Sequence, residues 1–163
     1  MSAQVTWLPG GRLHLNHGPI DLILQGWGDA RALQAGYAAA VDRFDTILAE
    51  LVSELPALRS PNTLVTGPTA RLMAAAVAPF RPIFITPMAA VAGAVADTIL
   101  RALIRPGITR AYANNGGDIA LWLGPGESLT CALAASPLDR VTVHAADRVR
   151  GIATSGWRGR SFS

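Results

Sequence analysis

The 163-residue chain predicts an α+β fold, and three observations predict it. Apolar residues alternate with period two near the start. They recur at spacings of three and four through the middle, and the period returns to two after residue 107. Helical and strand runs segregated in this way give helices packed on an antiparallel sheet. The length suits one domain, 1–163, with a sizeable core. With 50% hydrophobic residues the chain is not intrinsically disordered.

The elements follow in order. Residues 5–8 are a short apolar run, turned by Pro9-Gly10-Gly11. Residues 12–16 alternate as a half-buried strand. His17-Gly18-Pro19 punctuates, and residues 20–25 resume the sheet. Neither His14 nor His17 has a second ligand at metal spacing. Asp29 is placed to cap a long helix over residues 29–55. Leu33, Tyr37, Val41, Phe44, Leu48, Leu51 and Leu55 form its core stripe. Thr66-Gly67-Pro68 opens a second, Ala-rich helix closed at Pro79. Residues 81–86 read as a short buried strand. A third helix, buried and Ala-rich, is expected over residues 88–104, and Thr86 could cap it. Asp97 and Arg101 stand four apart on that helix, the spacing of an ion pair.

Residues 108–113 and 118–123 are the arms of a hairpin around Asn114-Asn115-Gly116-Gly117-Asp118, expected to turn at Asn115-Gly116. Spacing leaves two readings of this turn open. Asp118 could bond its own loop. Alternatively, the paired glycines could let backbone approach a ligand that Asp118 then binds. Residues 129–135 and 140–144 are further strands, and Gly151 to Gly156 is a second glycine-bearing stretch.

Charge and cysteine content narrow the function. Net charge is +3, and all 14 cations are Arg, which excludes a P-loop or Schiff-base lysine. Arg148, Arg150, Arg158 and Arg160 gather near the end around Trp157. Four Arg make a small patch that reads as a solvated segment, which argues against nucleic acid. Cys131 is single, excludes an intrachain disulfide, and reads as a buried inert thiol. With no signal-peptide pattern, a cytoplasmic location is expected. The run over residues 88–104 contains Asp97 and Arg101, so a buried helix is expected there and no membrane span.

Three phrases carry a resemblance. They are Ile85-Thr-Pro-Met-Ala-Ala-Val-Ala-Gly-Ala-Val-Ala-Asp97, Asn114-Asn-Gly-Gly-Asp118 and Ala153-Thr-Ser-Gly156, with His17-Gly-Pro-Ile-Asp21 beside them. Together they resemble the uncharacterised ApbE-like family, short relatives of the ApbE flavin transferases that use magnesium to move FMN from FAD onto a protein threonine. The likeness spans residues 12–163. It implies an α+β fold with FAD as ligand. It also implies a cofactor site formed by Asn115, Gly116, Gly117 and Asp118, by Thr154, Ser155 and Gly156, and by Met88 and Gly93 of the small helix. Asp97 matches the acid of the transferases' Lys-Gly-Tyr-Ala-Val-Asp segment, but Ala92 stands where that segment has Lys.

The family's Ala-Asp-x-x-x-Thr segment, which supplies magnesium ligands, has no counterpart before Ser163. The chain is therefore expected to be incomplete at its C-terminus. No metal ligand is assigned to it, and Mg²⁺ would belong only to a complete chain. Apolar surface is expected at Leu133, Val141 and Val143, with self-association into a homo-oligomer as its consequence. The readings in competition are a flavin-handling enzyme, a non-catalytic binding module, and a structural fragment that has lost transfer chemistry.

Overall fold

The computed structural model describes residues 2–61, 64–133 and 136–153. It is an α+β structure, as the period changes predict. One antiparallel sheet holds six strands in the order β1-β2-β3-β4-β5-β8. These are β1 Gln4–Leu8, β2 Arg12–His17, β3 Ile20–Gly28, β4 Ile108–Asn115, β5 Asp118–Leu123 and β8 Gly151–Ile152. A separate two-stranded ribbon pairs β6, Ser128–Leu133, with β7, Ser136–His144. The helices are α1 Ala30–Ser53, α2 Leu55–Leu58, α3 Pro68–Val77 and α4 Val91–Leu103.

Alternation puts Leu13, Leu15, Leu22, Leu24, Ala111 and Ala113 on one face of the sheet, all buried. Phe44, Ile47, Val95, Ile99 and Leu103 meet them from α1 and α4. Of the predicted stripe, Tyr37, Phe44 and Leu51 are buried and Leu33, Val41 and Leu48 pack half-buried against the core, while Ala40 and Ile47, outside that stripe, are buried as well. Asp29 caps it, its Oδ1 accepting from the N–H groups of Arg31 at 3.0 Å and Ala32 at 2.9 Å. The entry to α3 is fixed by Glu54, whose carboxylate accepts from the N–H groups of Thr66 and Gly67 at 2.6 and 2.7 Å. These bonds hold Glu54 below the usual carboxylate range. Among the described residues, no helix is long and apolar enough to cross a membrane.

Four expectations are corrected. Residues 81–86 form no strand, and Ile83 and Phe84 are exposed. Pro82 and Pro87 bracket that run and remove the donors a ladder needs. Ahead of α4, Pro87–Ala90 is a 3-10 turn, and the Thr86 side chain makes no capping bond. Cys131 is half-buried, because β6 belongs to the thin ribbon and not to the main core. Val143 is 3% exposed and packs with Leu121 and Leu123 in a second small core. Val141 does keep an exposed surface, and the Leu133 side chain lies outside the described residues.

Candidate functional site

The β4–β5 hairpin turns one residue later than its dipeptide suggests. Asn115 and Asp118 are paired across the ladder, and Gly116 and Gly117 are the two central residues. Both have positive φ, 63° and 108°, as a tight two-residue hairpin turn requires. The second Gly thus serves the turn itself. Asn114 closes it, its Oδ1 accepting from the Gly117 N–H at 2.9 Å. Asn115 is buried and its Nδ2 donates to the Ala92 carbonyl at 3.1 Å. That bond ties the hairpin to the first turn of α4.

With Asn114 bonding the loop, Asp118 is released from that task. Its carboxyl makes no hydrogen bond or ion pair among the described residues. It is half-buried, and the loss of water pushes its pKa above the ordinary aspartate value. Asp118 lines an open groove of about 630 Å³ between α3, α4, β5 and the stretch 150–153. The α4 side is Gly93, Ala94 and Asp97, the α3 side Leu72, Ala75 and Ala76. A Cβ built on Gly93 would meet nothing within 4 Å, so this glycine faces open space. Asp97 sits on the same groove and is held by Arg101, Nη2 to Oδ2 at 2.7 Å, as the i,i+4 spacing predicts.

Arg150 lines the opposite side. Its guanidinium donates to the carbonyls of Ala145 at 2.8 Å, Val149 at 2.7 Å and Asp147. All three acceptors are neutral, so the charge of Arg150 is oriented but not neutralised. Sequence reading placed Arg150 in a solvated terminal patch and did not anticipate its position here. Leu72, Ala75 and Ala76 were missed as well. The Ala-rich run of α3 was visible, but nothing in it says which neighbour it faces.

The residues implied by the resemblance therefore divide. Gly93, Asp97 and Asp118 share one groove. Asn115, Gly116 and Gly117 build the turn that presents Asp118. Met88, in the 3-10 turn, packs against the main core and is not among the groove's lining residues. Thr154, Ser155 and Gly156 lie outside the described residues, and the groove's wall is followed to Ala153. Among the described residues, no three His, Cys, Asp or Glu side chains gather as a metal site. Two carboxylates, one already engaged by Arg101, do not fit a divalent cation of the octahedral kind. The residues do fit a flat ligand: small side chains on two helices, a missing Cβ, one free acceptor and one un-neutralised cation.

No curated protein matches the chain. The family described as AbpE bacteria matches residues 5–163, which takes in all six strands of the sheet except the first residue of β1, every helix, and both walls of the groove. The chain belongs to the AbpE bacteria family.

Proposed function

We propose that this chain binds a flavin nucleotide of the FAD class in the groove between α3, α4 and the β4–β5 hairpin, as a relative of the ApbE flavin transferases. One arrangement carries the reading. Gly93 leaves the α4 wall open while Asp118, half-desolvated and without a hydrogen-bond partner among the described residues, lines the same space. Ala75, Ala76, Ala90 and Ala94 let a planar ring approach the helix backbones. Asp118 accepts from ribityl or ribose hydroxyls or from a ring N–H, which relieves its desolvation. Arg150 offers its positive charge to phosphate. The bound flavin would supply the ring and the transferable phosphoryl unit, and the chain supplies shape, an acceptor and a cation.

The reading is one of binding and does not extend to transfer. The chain has no Lys, and Asp97 is engaged by Arg101. With FAD, Mg²⁺ and a threonine-bearing acceptor, mass spectrometry should find no FMN adduct on the acceptor. An adduct would restore the transferase reading.

Titration of the ligand-free protein into FAD, followed by flavin fluorescence, tests the binding itself. Saturable binding is expected. Gly93→Leu fills the groove and should weaken it at least about tenfold, or about 1.4 kcal/mol, with an unchanged circular-dichroism spectrum. Absence of saturation, or a Gly93→Leu protein that binds FAD as the parent does, would remove this reading.

A further inference from the structure

The opposite face of the main sheet holds a second groove, of about 570 Å³. The ribbon packs on the β5 side of that face, where Leu121 and Leu123 meet Val143, and touches β4 through Tyr112 and Arg110. The groove lies between β6 and the β3–β4 part of the sheet, with the sheet as its floor and β6 as its wall. The floor is aromatic. Trp27 and Tyr112 lie with ring centroids 6.1 Å apart, and the Arg110 guanidinium covers Trp27 with Cζ 4.6 Å from its centroid. Tyr112 donates to Gln25 Oε1 at 3.2 Å, and Gln25 Nε2 donates to the Gly10 carbonyl at 2.7 Å. The phenol is thus held in place by a residue that is itself held.

Arg110 and Asn114 keep spare donors along β4, and the Tyr112 hydroxyl oxygen keeps an acceptor. Arg110 uses Nη1 for the Ser128 carbonyl at 3.0 Å, and Glu127 Oε2 lies 3.7 Å from the same nitrogen. Nε and Nη2 are not engaged by any described residue. Asn114 spends its Oδ1 on the turn and keeps its Nδ2 group. Arg110 and Asn114 are four residues apart on one face of a strand, so about 13 Å separates them, with Tyr112 midway. An Arg110 guanidinium that is paired with Glu127 only through Nη1, an aromatic floor, and an amide donor at the other end suit a flat anion.

We propose that this groove is a second ligand site, for aromatic carboxylates of one or two fused rings. The ring lies over Tyr112 against the β6 wall, and the carboxylate takes the remaining N–H groups of Arg110. The site is independent of the flavin reading, since it uses the other face of the sheet.

Cys131 lines this groove and is the chain's single thiol, so its alkylation reports occupancy directly. The experiment measures iodoacetamide labelling by intact mass with and without 2-naphthoate. Naphthoate should slow labelling saturably. Neutral 2-naphthamide at equal concentration should protect at least about tenfold less well, the loss of one charge-assisted pair. Arg110→Gln should shift the naphthoate midpoint by a similar factor. Because that change also touches β6 through Ser128, a second variant is needed. Ala132→Trp, at an exposed wall position, should abolish the naphthoate-dependent ratio. Gly93→Leu, on the far face, should leave protection unchanged. The proposal is overturned by labelling indifferent to naphthoate, by equal protection from the amide, by an unshifted midpoint in Arg110→Gln, or by protection that survives Ala132→Trp.

Discussion

The two ends of α4 use glycine for opposite purposes. At the C-terminal end, Gly36 of α1 lies against the helix. A Cβ there would stand 2.6 Å from the Leu103 carbonyl oxygen and 2.9 Å from the Leu103 side chain. At the N-terminal end, Gly93 belongs to α4 itself, and a Cβ there would touch nothing within 4 Å. A glycine inside a helix costs about 1 kcal/mol relative to alanine. At Gly36 the close α1–α4 contact offsets that cost. At Gly93 no packing contact does, and what the glycine preserves is the space in front of Asp118. A glycine kept for space in a helix wall is a better pointer to a ligand than one kept for contact.

The comparison can be broken at either end. Gly36→Ala should give the largest effect. Overpacking against a backbone carbonyl outweighs the gain in helix propensity, leaving a net loss of about 1–2 kcal/mol. At this chain length that lowers the thermal midpoint by about 2–8 °C, readable by calorimetry. A Gly36→Ala protein as stable as the parent would show that α1 and α4 pack less tightly than described. Gly93→Ala should move the other way, stabilising by about 0.8–1 kcal/mol in urea. It should also weaken FAD binding, since the new methyl enters the groove. A stabilised variant with undiminished FAD affinity would separate the glycine from the ligand.

Sequence could read α1 because cap, stripe and stop agree over many residues: Asp29, the Leu33-to-Leu55 spacing, and Pro56. It could read the hairpin arms but set the turn one residue early, because Asn115-Gly116 and Gly116-Gly117 both tolerate positive φ. It could not say that residues 83–85 lack a partner, since β-propensity reports what a run can do once a neighbour exists. Nor could it tell that β6 and β7 leave the main sheet, because alternation looks the same in either sheet. For the groove, Gly93 and Asp97 came from a resemblance, and Asp118 from both the resemblance and the glycine turn beside it. Which acid would be engaged was legible only for Asp97, through its spacing to Arg101. That Asn114, and not Asp118, bonds the turn depends on coordinates, as either side chain has the acceptor for it.

A smaller effect separates the two ends by pH. Burial raises the pKa of Asp118 in the folded chain above its ordinary 3.8. Between the unfolded and folded values the folded state binds more protons, so this group's contribution to stability falls as pH rises through that window. Below the unfolded value both states are protonated and the penalty disappears. Asp118→Asn should therefore be the more stable protein at neutral pH, with the difference shrinking as pH drops toward 3.8 in urea titrations. Gly36→Ala should show no such trend in its difference from the parent. A pH-independent Asp118→Asn difference would mean that Asp118 is well hydrated and the groove wetter than its walls suggest.

The smallest effect is expected at Arg101, and its interest lies in where it is felt. The guanidinium is mostly exposed and the Asp97 carboxylate about 40% exposed, so the pair is an ordinary surface bridge in energy. Arg101→Ala should cost only about 0.3–0.5 kcal/mol, and added salt should remove even that. Asp97 is nonetheless on the rim of the groove, and Arg101 is what neutralises it. Without the arginine, two uncompensated carboxylates would line a space proposed to accept phosphate. Binding of FAD should then weaken more than stability does, whereas binding of uncharged riboflavin should change little. The discriminating measurement is the ratio of the two affinities in parent and variant. If Arg101→Ala leaves that ratio unchanged, the phosphate lies away from Asp97, and Arg150 alone sets the position of the ligand's charge.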